Sequence, residues 1–392
     1  MPTGIQGLRG SGEFSTDFRP TNYRELFTLL EPNGSAPFNA LLAMTSGEAT
    51  DDPVYSNFRD EIPERVVKIN NSGGYNATAT SIVIDADVEV GFLTAGTLLA
   101  NARTGEIMRV TADASGTTLA VARNLGSTGL TILDNDDLFV SGFAAADGDD
   151  VSTAISFDPT VVSNYTEIFR TPFAVTNTLK ATYRRTGDAE DEFATKALKL
   201  HMQEIERAMF FGKKHIENTG AFNERRYTGG ILSSITNVVD GSTFSTSGQM
   251  TEDEFDSMLI NTIFAFGSQQ KLAFVGAKVA AHLQRFGKAR WQPTVVDGTY
   301  GVNVTRYATM AGDLMVHLHP QFRQVPGMDS AMVIIDMPHV KYRYLDGRDT
   351  SLLRDRQGNG VDGVIHEYLS DCGLELTQDK VHTYIKGWQT TA

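Results

Sequence analysis

The longest apolar repeat in the chain has the period of an α-helix and follows Asp188, a residue type that favours helix N-caps. Apolar residues recur at helical spacing from Phe193 to Met209, and three acidic residues occupy the first turn, where the helix dipole favours them. Gly212 follows the last apolar residues. The pattern predicts a helix over residues 188–211, roughly 35 Å long at 1.5 Å per residue.

Two shorter helices and several strands are predicted further along the chain. Thr251 and Glu254 match a capping box before the apolar positions of 255–266, and a third helix is expected at 277–286, before Gly287. Alternating apolar and polar residues predict the strands of a mixed sheet at 272–275, 302–308, 313–318, 331–335 and 339–344. The final segment, 363–388, predicts two strands, 364–370 and 380–385, on either side of Leu374 and Leu376.

Residues 70–150 differ from their surroundings. Short β-patterns at 81–85, 107–111, 118–122 and 138–142 are separated by glycine-containing turns, at roughly the 8 to 12 residue spacing of a small antiparallel barrel or sandwich. Residues 1–50 carry scattered Gly and Pro with few apolar anchors, which indicates an extended arm lying on this chain's surface or on a neighbour's. The predicted class is α+β with one β insertion and a long arm.

Negative charge is concentrated in the insertion. The 392 residues carry a net charge of −14, and residues 70–150 contain eleven acidic residues, three arginines and no lysine, a net charge of −8. Such a chain is unsuited to gripping nucleic acid through a broad basic face. Cys372 is the single cysteine, so no intrachain disulfide can form. Because no signal peptide or membrane span is recognisable, we expect a soluble chain made in a cytoplasm.

The tightest histidine pattern is His317-x-His319, with Asp336 and His339 roughly twenty residues later. On a strand both rings would share a face, but a zinc site needs three or four convergent ligands. A polar strand face or a subunit contact is therefore the favoured interpretation.

Residues 355–360 resemble the start of a calcium-binding loop. His366 stands where a bidentate Glu is required and Gln357 occupies the third position, which favours a plain glycine-rich turn. The acidic run 134–137 lacks the glycine that such a loop needs at its sixth position.

Other catalytic and ligand-binding motifs are missing from the sequence. Glycines at positions 4, 7, 10 and 12 neither follow a predicted strand nor open a helix, so they favour a flexible arm over a phosphate-binding loop. No nucleophile-elbow, Walker or H-E-x-x-H motif is found, and Cys372 fits a small buried residue. The sequence assigns no catalytic, cofactor-binding or metal-binding residue, and a protein that is not an enzyme is expected.

Local basic clusters stand out in this acidic chain: Lys213-Lys214, Arg225-Arg226, and Arg343, Arg348, Arg354 and Arg356. Solvated faces or helix-end caps, and a subunit interface with a neighbour's acidic patch, fit these clusters equally well. Polyanion binding ranks third.

The order of these parts, together with local motifs, resembles the major capsid (major head) proteins of tailed bacteriophages, which have the Hong Kong 97 fold. The motifs lie in the arm and the strand after it (36–42, 53–67), in the insertion (104–110, 118–127, 134–140), in the returning strand (169–184) and in the later domains (229–232, 307–312, 364–387). Together they span roughly residues 36–388.

The resemblance implies five segments: an N-terminal arm at 1–52, an extended loop at 53–185 with the β-rich insertion domain at 70–150, a peripheral domain with the long spine helix at 186–235, an axial α/β domain at 236–362, and closing peripheral strands at 363–392. It implies a structural protein that self-assembles as pentamers and hexamers into an icosahedral shell enclosing double-stranded DNA. The implied partners are further copies, a portal protein, a separate scaffolding protein and an optional decoration or cement protein, with no membrane and no cofactor. The protein would be located in the virion after assembly in the bacterial host cytoplasm.

One device of the family is not expected here. Some relatives cross-link a loop lysine to an asparagine, and this chain has no lysine between Lys68 and Lys180, so we expect no covalent mesh. The arm is also too short to contain a scaffolding domain.

Three alternatives stay open on the sequence alone. An encapsulin-like nanocompartment shell shares the fold, a metal-dependent hydrolase would use His317 and His319, and an adhesive or glycan-binding β module would use 70–150.

Overall fold

The computed structural model describes residues 36–42, 47–62, 64–85, 90–114, 116–126, 128–148, 153–183, 187–218, 223–244, 249–286 and 305–388. The chain divides into two compact units. We call Met1–Asn57 together with Val162–Ala392 the body, and Phe58–Val161 the insertion unit. None of the described helices is long and apolar enough to cross a membrane.

The helices of the described residues are α1 Pro37–Leu42, α2 Asn177–Ala181, α3 Ala189–Phe211, α4 Ile231–Ser234, α5 Glu252–Met258 and α6 Ala277–Phe286. A π-helical turn, Leu259–Ile263, continues α5.

The strands are β1 Glu48–Thr50, β2 Val54–Arg59, β3 Val66–Lys68, β4 Ser81–Val83, β5 Thr97–Asn101, β6 Ile107–Val110, β7 Thr118–Ala122, β8 Asp137–Phe143, β9 Thr160–Tyr165, β10 Glu167–Thr176, β11 His215–Asn218, β12 Glu224–Tyr227, β13 Val238–Asp240, β14 Gln270–Val275, β15 Thr305–Ala308, β16 Asp313–Leu318, β17 Met332–Ile335, β18 Val340–Leu345, β19 Ser351–Leu353, β20 Gly363–Leu376 and β21 Thr383–Lys386.

The long predicted helix is confirmed as α3. The Asp188 side chain caps it by accepting a hydrogen bond from the Glu190 N–H at 2.9 Å, and Gly212 is its C-cap. A Cβ atom at Gly212 would clash with the carbonyl oxygens of Ala208 and Thr228. Only glycine therefore lets the returning chain pass so close to the helix end.

The first sheet of the body has the order β1-β18-β20-β10, with β19 also paired to β20. The prediction that a strand ends at residue 370 is wrong, because β20 continues to Leu376. Residues 363–372 of β20 pair with all of β10, and residues 372–376 pair with β18. The strand therefore gains a new partner without being interrupted. No proline or turn sequence interrupts it.

The second sheet of the body has the order β13-β21-β17-β14-β16-β15. One face packs against α5 and α6 through a core that includes Phe255, Leu283 and Trp388. The opposite face, with Phe274 of β14, joins α3 and α1 in the largest core cluster. That cluster also contains Cys372 and Leu374 of the first sheet, so α3 contributes to a core shared by both sheets.

The other predicted elements of the body are found with small shifts. The capping box of Thr251 and Glu254 is present at α5, although the α-helix ends at Met258 and gives way to the π turn. Strand 313–318 and helix 277–286 match the predicted bounds. Gly287 and residues 301–304 lie outside the described residues.

The insertion unit contains a six-stranded antiparallel sheet in the order β3-β8-β5-β6-β7-β4. A bridge between Ile69 and Ile84 joins the two ends, so the sheet closes into a barrel. Thirteen buried apolar residues, including Leu99, Met108 and Leu138, fill its interior. The sequence predicted either a barrel or a sandwich, and the structure shows a barrel. It contains β3 and β5 in addition to the four predicted strands.

Candidate functional site

The histidine pair at 317 and 319 is buried in the core of the chain. His319 Nε2 lies 2.8 Å from Glu206 Oε1, and both side chains are fully buried. His317 is also buried and packs edge-on against Phe274. The expected polar strand face or subunit contact is therefore wrong for this pair, because both rings belong to the core of the chain. Across the described residues, no group of three His, Cys, Asp or Glu could hold a metal ion.

The calcium-like loop is held by hydrogen bonds within the protein. The Val361 N–H donates to the Gly358 carbonyl at 3.3 Å, and the Asp355 N–H donates to His366 Nδ1 at 3.2 Å. In the run 134–137, Asp136 accepts hydrogen bonds from Arg103, which with other donors lowers the pKa of that carboxyl against the opposing effect of burial. Both segments thus have structural partners.

Cys372 is fully buried, and burial raises the pKa of its thiol to about 12. A thiol with so high a pKa is a poor nucleophile near neutral pH. Its predicted role as a small core residue is confirmed by its place in the largest core cluster.

Three hydrogen-bonded histidines fasten α3 along its length. Near the start, Glu190 Oε1 lies 2.7 Å from His366 Nε2 of β20. In the middle, His201 bonds to Thr171 Oγ1 at 2.9 Å and Ser370 Oγ at 2.7 Å. Near the end, Glu206 pairs with His319. These contacts fix α3 against the first sheet and against the segment that follows β16.

Glu206 also anchors the described part of the N-terminal arm. Its two carboxylate oxygens accept hydrogen bonds from the N–H groups of Phe38 and Asn39, at 2.9 and 2.8 Å, where α1 begins. A carboxylate at a helix start satisfies unpaired N–H groups and meets the positive end of the helix dipole. The Phe38 ring packs 5.1 Å from Phe210. We call this cluster, Phe38, Asn39, Glu206 and His319, the arm anchor.

The first sheet has two chemically different faces. Alternate residues of β20, including His366, Tyr368, Ser370, Cys372 and Leu374, share one face, and the contacts of His366, Ser370 and Cys372 place that face toward α3. The remaining residues of β20 point to the opposite side of the sheet. They include three carboxylates at four-residue intervals: Glu367, Asp371 and Glu375. We call this second side the charged face.

Every carboxylate on the charged face has an arginine partner. Arg170 donates to Glu367, Arg348 lies 3.1 Å from Asp371, and Arg343 donates to Glu375. The carboxylates are 5 to 7% exposed, whereas Arg170 and Arg348 are 55 and 43% exposed. The acids therefore lie beneath a layer of guanidinium groups. The hydrogen bond from Arg170 lowers the pKa of the Glu367 carboxyl, against the opposing effect of burial.

Several arginines of the predicted basic clusters have acidic partners in the same chain. Arg343 also pairs with Glu48 at 2.5 Å, Arg356 lies 3.9 Å from Glu367, and Arg225 lies 3.7 Å from Glu217. Lys214 donates to Ser163 Oγ at 2.6 Å. Solvated faces and helix caps therefore describe Arg225, Arg343 and Arg356 incompletely, because these arginines form ion pairs with acidic residues on other strands.

Sequence patterns did not reveal a buried polar cluster in the second sheet. Lys271, 1% exposed, donates to the carbonyls of Ile263, Phe266 and Val381 at 2.6 to 2.7 Å, and burial lowers its pKa to about 8. Asp336 accepts from the Ser268 N–H at 2.8 Å. The signal that could have revealed this cluster in the sequence is a lysine inside the apolar run of β14.

A protein family model described as the SU10 major capsid protein matches residues 10–389. The chain belongs to this capsid protein family. The major capsid protein of Pseudomonas phage PaMx41 is 29% identical over 344 residues, which cover 84% of this chain and 79% of that protein.

The capsid protein also shares its fold with a solved particle. The capsid of the native GTA particle, computed with C5 symmetry, aligns with a TM-score of 0.52 at 8% identity, over 98% of this chain and 100% of that one. The phage capsid fold expected from the sequence, the Hong Kong 97 fold, is confirmed. This is a structural capsid protein, a component of the virion shell that assembles with further copies of itself.

In this capsid protein the polar groups described above have two kinds of role. The buried ones fix the described part of the arm on the body and hold α3 against the first sheet, and the charged face presents arginines to solvent.

Proposed function

We propose that this capsid protein assembles as pentamers and hexamers into an icosahedral shell that encloses double-stranded phage DNA. The observation that carries the proposal is the family match over residues 10–389. The fold shared with the capsid of a GTA particle supports it. The match favours this function over an encapsulin-like compartment, a metal-dependent hydrolase and an adhesive module.

We further propose that the protein acts through geometry and has no catalytic activity. Two histidines that suggested chemistry in the sequence have structural partners in the described residues: His319 lies against Glu206, and His366 accepts the Asp355 backbone N–H. Both histidines are buried, so they hold elements in position and are unavailable to a substrate.

The five-segment organisation, with boundaries at 52, 185, 235 and 362, remains part of this proposal. The compact insertion unit Phe58–Val161 lies within the proposed extended loop. A portal protein, a separate scaffolding protein and an optional decoration or cement protein are the proposed partners, with assembly in the host cytoplasm.

Light scattering and negative-stain electron microscopy of the purified protein test the proposal. We expect capsomer rings or megadalton shells, and nuclease-protected duplex DNA in particles from infected cells. A stable monomer near 42.8 kDa would contradict it. Particles that enclose an enzyme in place of DNA would favour the compartment alternative.

A further inference from the structure

A cavity of about 400 Å³ opens on the body where α1, α3 and β18 meet. Leu42 of α1, together with Met202 and Ile205 of α3, forms its apolar lining. Leu42 and Ile205 are buried members of the largest core cluster, so the core holds this side of the cavity in place. Small-ligand sites of this size combine apolar walls with a few well-placed polar groups.

Two tyrosine rings form another wall of the cavity. Tyr342 and Tyr344 are alternate residues of β18 on the same side of the sheet, and their ring centroids are 5.9 Å apart. A Cβ atom at Gly47 would come to 3.1 Å from the Tyr342 ring and 3.2 Å from the Tyr344 ring, so the backbone there rests against both rings. The faces of aromatic rings attract cations, and this wall can therefore contribute to binding one.

A carboxylate without a cationic partner lies at the same cavity. Asp349 Oδ1 accepts hydrogen bonds from the Tyr342 hydroxyl at 2.9 Å and from the Thr350 N–H at 2.7 Å. Within the described residues, its Oδ2 accepts no hydrogen bond and no lysine or arginine pairs with it. The carboxylates of Glu48 and Asp371 on the same sheet, in contrast, have cationic partners.

The Tyr342 hydroxyl orients this carboxylate. Burial raises the pKa of Tyr342 above its ordinary value, so the phenol stays protonated and remains a donor to Asp349. Because both hydrogen bonds of the carboxylate are made by Oδ1, Oδ2 is the atom left for a ligand.

These groups suit one kind of cation. A guanidinium is bound best by both oxygens of a carboxylate, and Oδ1 of Asp349 is already occupied. Hard divalent cations need several oxygen ligands at once, whereas Asp349 is the single carboxylate among the described lining residues. A primary ammonium is a compact charge that one oxygen and an aromatic face can hold.

We propose that this cavity binds a primary ammonium group carried on an aliphatic stem, as in an alkylamine or a lysine side chain. The ammonium lies against Asp349 Oδ2 and the rings of Tyr342 and Tyr344, and the stem lies along Met202 and Ile205. Because an ion pair at an exposed carboxylate is weak by itself, the aromatic and apolar walls supply the selectivity. The site goes beyond the proposed shell function and does not depend on it.

Ligand-observed NMR with n-pentylamine tests the site. The full chain would be titrated at constant ionic strength, which holds the general screening of charges fixed. We expect saturation transfer to the pentyl chain and an affinity about tenfold higher than that of n-pentanol, which has the same stem without the charge. Shortening the stem should lower the affinity about fourfold for each methylene that leaves the cavity.

Neutralising the carboxylate tests the ammonium contact. Asp349→Asn keeps an acceptor for the Tyr342 hydroxyl and the Thr350 N–H. We expect it to lower the affinity for n-pentylamine about tenfold and to leave the affinity for n-pentanol unchanged. Asp346→Asn, at an exposed position of the same loop outside the cavity lining, is the matched control. Equal affinities of the wild-type chain for amine and alcohol, or no effect of Asp349→Asn, would overturn the proposal and leave the shell function untouched.

Competition separates the two sources of the ammonium group. N-acetyl-lysine methylamide carries a comparable stem attached to a peptide backbone. If it displaces n-pentylamine, the site takes a lysine side chain, and if n-pentylamine binds without being displaced, the site takes a free amine. Binding of neither compound to the wild-type chain would refute the site.

Discussion

At the residue scale, buried polar side chains of this capsid protein hold separate elements in position through hydrogen bonds. Glu206 joins α1, α3 and His319 through one carboxylate, and Lys271 ties three carbonyl groups together. A buried polar group stabilises a fold only when it is hydrogen-bonded, and it is costly when its partners are removed. Single substitutions at these positions should therefore have large effects.

Removing the Glu206 side chain should release the arm anchor. Glu206→Ala leaves the N–H groups of Phe38 and Asn39 and the His319 ring without their acceptor, which should cost about 3 kcal/mol in the free energy of unfolding. Hydrogen exchange would show fast exchange of both amides. Glu204→Ala, at an exposed position of α3, is the control, and equal protection in both variants would contradict the prediction.

His382 should make the protein acid-sensitive. Burial lowers its pKa from 6.5 to about 3, and its Nδ1 accepts the Asp336 N–H. The unfolded chain therefore binds a proton between these pH values and the folded chain does not, so stability falls as pH drops through this window. The maximal slope is about 1.4 kcal/mol per pH unit.

Denaturant titrations between pH 7 and pH 4 measure this loss. His382→Asn keeps an acceptor for the Asp336 N–H and should flatten the pH dependence. His215→Asn, on the exposed strand β11, should leave the dependence unchanged. An identical slope in wild type and His382→Asn would exclude His382 as its source.

At the element scale, a buried ion pair links the start of β6 to the end of β7 within the barrel. Arg123 Nη2 lies 2.5 Å from Glu106 Oε2, and the two side chains are 2 and 0% exposed. Glu106 also accepts the Leu130 N–H at 3.0 Å, so the pair holds the chain segment after β7 as well as β6.

Breaking this pair should weaken the insertion unit strongly. Glu106→Ala leaves the Arg123 charge buried without its partner, and the expected loss is about 3 to 5 kcal/mol. Lys68→Ala removes an exposed partner 3.9 Å from Asp137 and should cost less than about 1 kcal/mol. Urea unfolding of the full chain would compare them, and equal losses would refute the assigned role of the buried pair.

At the scale of the whole molecule, the absence of lysine between Lys68 and Lys180 predicts how shells behave under denaturation. With no lysine available in the insertion, we expect mature particles boiled in SDS to give one band near 42.8 kDa. A ladder of higher species that survives reduction would show covalent joining of copies.

Shell size should depend on a separate scaffold. Expression of this chain alone should give rings, irregular shells or no particles by electron microscopy, and co-expression with a scaffolding protein should restore uniform shells. Uniform particles of native diameter from the chain alone would contradict this expectation.

The sequence by itself determined many helices and strands of this fold, because their signals are local. The cap at Asp188 and the repeat up to Met209 specify α3, the capping box specifies the start of α5, and glycine-rich turns specify the strands of the insertion. Each of these signals acts between residues a few positions apart, so it is visible without knowledge of the partner element.

Tertiary structure alone decided the long-range pairings. Glu206 meets Phe38 across 168 positions and His319 across 113, and the arginines of the charged face find acids on other strands. The length of β20 and the closure of the barrel through Ile69 and Ile84 also depend on which strands lie side by side. Burial and charge pairing at such separations are properties of the packed chain, whereas local patterns report only propensity.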